Sequence, residues 1–289
     1  LKHPLLKSNP CPSSPYAALN FHYCNGIVNY LLGEFEKSLS HMQQVKDQMD
    51  SSFSIRLKRE DLYLRSLGNL VLCALQTEKV IAAQSYLLEL REYKTIYSSN
   101  NAYKSYLADL MELTTLNKLN AYSRSVSLIE GSLTKTVKDN PQFRLTQEYS
   151  YQIFQTITTL IHLKKHKEAK KIVLNFITEN KSSSKKDAYN YARIVYLILL
   201  IEAQQDDLLE NELRSIYLHF KKHKQLFLFE SAFFHFINSL LDLEPEGNTK
   251  EIYQELHNKL VALKSDHFEK NAFVYFEFDK WAANKMAEL

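Results

Sequence analysis

Apolar residues recur along this chain every three or four positions, the period of an α-helix with one face turned to a core. Ser14 can cap a first helix and Pro15 suits its first position. The apolar pattern then runs through Tyr30 and Leu31, and Gly33 can close the helix in a left-handed conformation. A second helix is expected from Glu34 to about Met49, with Phe35, Leu39, Met42 and Val45 on one face. Helices follow near 60–76, 78–93, 102–116 and 121–137. After Asn140-Pro141 come others near 146–164, 167–180, 187–204, 208–222, 225–241, 249–263 and 266–286. They read as antiparallel pairs joined by short turns, repeating every 40 or so residues, longer than the 34 of the best-known paired-helix repeat.

Composition supports this pattern and removes alternatives. The 289 residues contain only 5 glycines and 6 prolines, and four of the prolines (Pro4, Pro10, Pro12, Pro15) fall in the first fifteen positions. A β-sandwich or barrel would need many more turn signals. Residues 1–14 read as an extended, polar tail, and 15–289 as one helical repeat domain. The first residue is Leu, so a preceding segment is expected. The longest strongly apolar stretch, Ile194 to Ile201, is too short for a bilayer span of roughly 20 residues; no membrane insertion is expected. Cys11, Cys24 and Cys73 show no close pairing. They fit a reducing, cytoplasmic setting, with Cys24 and Cys73 as small core residues.

The stretch LNFHYCNGIVNYLLGEFEKSLSHMQQVKDQ from Leu19 resembles a tetratricopeptide repeat. Gly26 holds the small position where two helices cross, Gly33 the turn, Phe35 the aromatic slot and Ser38 the next small slot. Small residues let antiparallel helices approach, and the aromatic fills the space between neighbouring pairs. Weaker echoes are Leu67-Gly68, Asn120-Ala121-Tyr122 with Ser125, and His166 with Ala169. The turn after Leu75 reads as two residues long, and the fifth pair loses the motif. The segment from Glu212 is similar to uncharacterised bacterial helical-repeat proteins. The resemblance implies an all-α, right-handed superhelical stack of about 12–13 helices, without enzymatic activity.

In that register the first helix of each pair lines a concave groove. Its residues would be Asn20, Tyr23, Ile27, Tyr30 and Leu31, then Arg65, Asn69 and Leu72, then Tyr151, Phe154 and Thr158. Some family members clamp a C-terminal carboxylate at the slots of Arg65 and Asn69. The partner slots here hold Leu107 and Met111, which cannot donate, so a mixed groove for an extended peptide or a helix is expected. The partner is another protein or peptide. The alternative is a peptide-sensing regulatory domain of a longer bacterial signalling protein.

Other chemistry adds little. His162 and His166, like His219 and His223, are spaced to share a helix face, but neither pair has a third ligand nearby. No phosphate loop, nucleophile elbow or catalytic Cys–His signature occurs; no catalytic residue, metal or cofactor is expected. Lys164, Lys165, Lys167, Lys170 and Lys171 form a basic run, yet the net charge is only +3, so it reads as solvated lysine rather than a nucleic-acid site. The C-terminal aromatics Phe273, Phe276, Phe278 and Trp281 need a cover, from the preceding helix or from a second copy in a homodimer.

Overall fold

The computed structural model describes residues 14–181, 186–244, 247–266 and 268–289. All regular structure among them is helical. The expected tail lies outside the described residues apart from Ser14, as do Cys11, Lys185 and the side chain of Lys186. The chain forms two compact units, one ending at Glu148 and the other spanning Tyr149–Leu289.

In the first unit, α1 (Pro15–Leu31) starts where expected: the Ser14 side chain accepts from the Ala17 N–H at 3.2 Å. α2 (Phe35–Asp50) packs against it, and Gly26 makes the close approach possible. A Cβ at Gly26 would stand 2.6 Å from Met42 Cε, and the Ser38 hydroxyl donates to the Gly26 carbonyl at 2.7 Å. α3 (Phe53–Lys58) is a short helix that the periodicity did not show. α4 (Glu60–Gln76) and α5 (Val80–Glu92) form the second pair. Glu60, 2 % exposed, receives the backbone N–H groups of Ile96 and Tyr97 and the Asn100 amide, which pins the loop before α6 (Asn101–Lys118). Burial pushes its carboxyl pKa up, but these hydrogen bonds outweigh burial and hold it below the ordinary value.

The helix expected at 121–137 is divided. α7 (Tyr122–Leu128) passes through a π-helical turn at Ile129–Leu133 into α8 (Thr134–Asp139). A 3₁₀ turn at Pro141–Leu145 follows, and its Phe143 ring stacks on Tyr106 at 4.8 Å.

The second unit contains α9 (Gln147–His162) from Tyr149 onward, α10 (His166–Asn180), α11 (Lys186–Glu202), α12 (Asp206–Lys222), α13 (Leu228–Leu241) and α14 (Thr249–Lys264). Ile194 to Leu200 are all buried, so α11 is the core helix of this unit. The helix expected at 266–286 is broken instead. A 3₁₀ turn at Glu269–Asn271 leads into α15 (Ala272–Tyr275), Phe276 is extended (φ −149°, ψ 142°), and α16 (Phe278–Glu288) follows. The break lets Phe273, Phe276 and Phe278 all enter the core.

One turn recurs through both units. In five pairs the two helices are joined by three residues, and the middle one is left-handed: Gly33, Glu78, Asn120, Lys164 and Gln204. In each, the following N–H bonds back five residues: Glu34 to Asn29, Lys79 to Ala74, Ala121 to Leu116, Lys165 to Leu160, Gln205 to Leu200. This closes the free carbonyls at the helix end. The turn after Gln76 is therefore three residues long, not two. Five positions beyond each turn residue lies a buried slot, filled by Ser38, Ala83, Ser125 and Ala169, and in the fifth pair by Leu209. Leu209 explains why the fifth pair lacks the small-residue signature.

A side chain held left-handed carries strain that glycine does not. Gln204→Gly is expected to stabilise the chain by about 0.5–1 kcal/mol, and Gly33→Ala to destabilise it by a similar amount. Urea midpoints of the two variants check this, and equal signs would contradict it.

Candidate functional site

Five polar side chains of the first unit meet on one face. Tyr23 comes from α1, Arg65 and Asn69 from α4, Tyr103 from α6, and Glu148 is the last residue of the unit. The Arg65 guanidinium lies over the Tyr103 ring, 5.5 Å from its centroid, and 4.0 Å from Glu148 Oε1. Tyr103 donates its hydroxyl to the same carboxylate oxygen at 3.0 Å. Asn69 stands beside Tyr23, whose phenol pKa it lowers against the effect of burial, and its amide reaches Met42 Sδ at 3.9 Å.

Burial raises the pKa of both phenols. For Tyr103 the Glu148 carboxylate adds to it, and for Tyr23 the charge of Arg65 works against it. Burial by itself would lower the pKa of Arg65, but Tyr103 and Glu148 overcome this and keep the guanidinium charged. Its side chain remains 47 % exposed. The ring below and the carboxylate beside it restrain the guanidinium, and its outer edge is open to an acceptor.

Tyr23, Arg65 and Asn69 were legible in the sequence; Tyr103 and Glu148 were not. The repeat register placed Leu107 and Met111 opposite Arg65 and Asn69, but both are buried. Leu107 packs on Gly68, with its methyl carbons 3.2 Å from where a glycine Cβ would stand, so α6 offers Arg65 the residue one turn earlier. The carboxylate clamp is thus incomplete for a packing reason as well as a chemical one. Asn20 is exposed, Ile27 is half-buried, and Tyr30 is half-buried with its ring edge-on to Phe35 at 5.3 Å.

In the second unit Tyr151 is half-buried, but Phe154 is core: it has no exposed surface and packs on Phe176 and Tyr275 at 6.2 and 5.1 Å. It cannot line an open groove. The C-terminal aromatics are likewise covered from within. Trp281 packs against Phe236 and Tyr253, and Phe278 against Phe229 and Phe233, so these rings leave no face for a second copy. Of the two small-core cysteines expected, Cys73 is buried and hydrogen-bonded to Ser38, whereas Cys24 is exposed, because it lies on the solvent side of α1.

Several lysines of the basic run have local partners: Lys164 pairs with Glu288, Lys165 with Glu168, and Lys170 hydrogen-bonds Gln205. Among the described residues no three potential metal ligands converge, and no helix is long and apolar enough to cross a membrane.

No family model and no curated protein sequence matches the chain. Its fold is similar to that of the crystal structure of the apo form of RapI. The TM-score is 0.60, the alignment covers 94% of this chain and 99% of that one, and 13% of residues are identical. At that identity the likeness is one of fold. It establishes the chain as an all-α, tetratricopeptide-like helical-repeat protein.

Proposed function

We propose that this protein is a non-enzymatic interaction module whose first unit holds a segment of another protein, an extended peptide or a helix, across α1, α4 and α6. The observation that carries this reading is Arg65. It is half exposed, fixed by Tyr103 and Glu148, and flanked by Tyr23 and Asn69. A restrained cation edged by tyrosines suits a peptide carboxylate with an aromatic or aliphatic neighbour. The rings offer contact area at low entropic cost, and the guanidinium offers direction.

Panning a displayed random-peptide library against the purified chain tests the proposal. Enriched peptides are expected to contain an acidic group beside an apolar residue. Arg65→Ala and Tyr23→Ala are each expected to weaken them by about tenfold, as for central anchors of an interface. A library that yields no enriched sequence, or peptides that bind the double variant as well as the parent, would sink the proposal.

A further inference from the structure

A cavity of about 140 Å³ opens in the second unit, bordered by the end of α9, the turn after it, the start of α10, the end of α11, and α16. Cavities of about this size take up one benzene-sized molecule. Part of the lining is apolar, formed by Ile161, Phe276 and Trp281. Another part is cationic. Lys164 reaches it from the turn and Lys285 from α16, and His166 lines it from the start of α10.

Two of the carboxylates lining the cavity meet these cations, in different ways. Glu202 is nearly buried and already has a partner on each oxygen. It accepts the Trp281 indole N–H at 2.8 Å and Lys285 Nζ at 2.8 Å, with His166 Nε2 at 4.0 Å. It thereby orients the indole and the ammonium group. Glu288 is 47 % exposed and bridges Lys164 at 3.3 Å and Lys285 at 3.1 Å. An exposed bridge of this kind contributes little net stability. It does mark the point where two ammonium groups converge on one carboxylate.

We infer that this cavity binds a small carboxylate-bearing ligand, which takes the place of the Glu288 carboxylate between Lys164 and Lys285. The short apolar part of the ligand lies against Trp281. A free small acid and a peptide-borne carboxylate share this chemistry. With Glu202, Glu277 and Glu288 around two lysines, the lining disfavours a dianion.

Trp281 is the only tryptophan of the chain, so its indole N–H resonance and its fluorescence both report on this cavity. Propionate and N-acetylglycylglycine are titrated into the full chain at constant ionic strength. A saturable change at Trp281 with either probe is expected, and the tighter probe identifies the source. Glu288→Gln removes the competing carboxylate and is expected to tighten binding roughly threefold. Lys164→Gln, at an exposed side chain whose change leaves the core intact, is expected to weaken it about fivefold. The inference is overturned by no saturable change with either probe up to about 50 mM. It is also overturned by an equal response to inorganic phosphate, or by affinities that both substitutions leave unmoved.

Discussion

Phe278→Ala is expected to destabilise the second unit by about 3–5 kcal/mol, the range for emptying a buried aromatic site. The ring has no exposed surface, and its centroid lies 4.8 Å from Phe229, 4.9 Å from Phe276, 5.3 Å from Phe233 and 6.3 Å from Phe273. Four rigid rings cannot collapse into the space, so the cavity remains after truncation. Urea denaturation followed by Trp281 fluorescence reports on this unit. Phe268, which is 57 % exposed, supplies the contrast: Phe268→Ala is expected to cost less than about 1 kcal/mol. Similar losses in the two variants would contradict the packing described.

Glu230→Gln is expected to stabilise the second unit at pH 8 by on the order of 2 kcal/mol, and to change little at pH 4.5. Glu230 sits in the first turn of α13, 4 % exposed, and accepts the Phe227 N–H at 3.1 Å. Burial raises its pKa from 4.5 to about 7; the backbone hydrogen bonds oppose this, and Glu269 and Asp187 add to it. The folded pKa is raised, so the unfolded chain releases this proton first. Stability from the neutral group is present below pH 4.5 and is lost as pH rises towards about 7. Glutamine keeps the acceptor for Phe227 and removes the charge. A difference between variant and parent that stays flat from pH 4.5 to 8 would refute the assignment.

Helical period gave most of the elements because each helix buries one broad face. It failed where a face is not the determinant. α3 is too short to show a period, and the π turn at Ile129–Leu133 shifts the pattern within a continuous run. At the C-terminus, Phe276 and Phe278 stand two apart, a spacing no helix can bury on one side, and this was the available sign of the break. The recurring left-handed turn was visible only at Gly33. Glu78, Asn120, Lys164 and Gln204 adopt it because the backbone must return there, and only Asn120 is a residue type that hints at it. For the candidate site, the α1 and α4 residues could be read from the repeat register. Tyr103 depended on how closely α6 packs on Gly68, a tertiary detail that spacing does not encode, and Glu148 reaches the site from the start of α9. Phe154 lay on the expected groove face, but α9 is buried on most of its circumference, so that face is core.

The Trp281–Glu202 hydrogen bond joins residues 79 positions apart. A linear array of repeats holds each helix only to its neighbours, so it can fray inward one pair at a time, with local contacts and fast assembly. Here the last helix returns to the end of α11 and closes a long loop, which costs chain entropy before any contact repays it. The second unit is therefore expected to fold late in this one step and to open as a block. Removing residues 276–289 would convert a cooperative transition into gradual unravelling from α14 inward, visible as a broadened melt with lowered slope in denaturant.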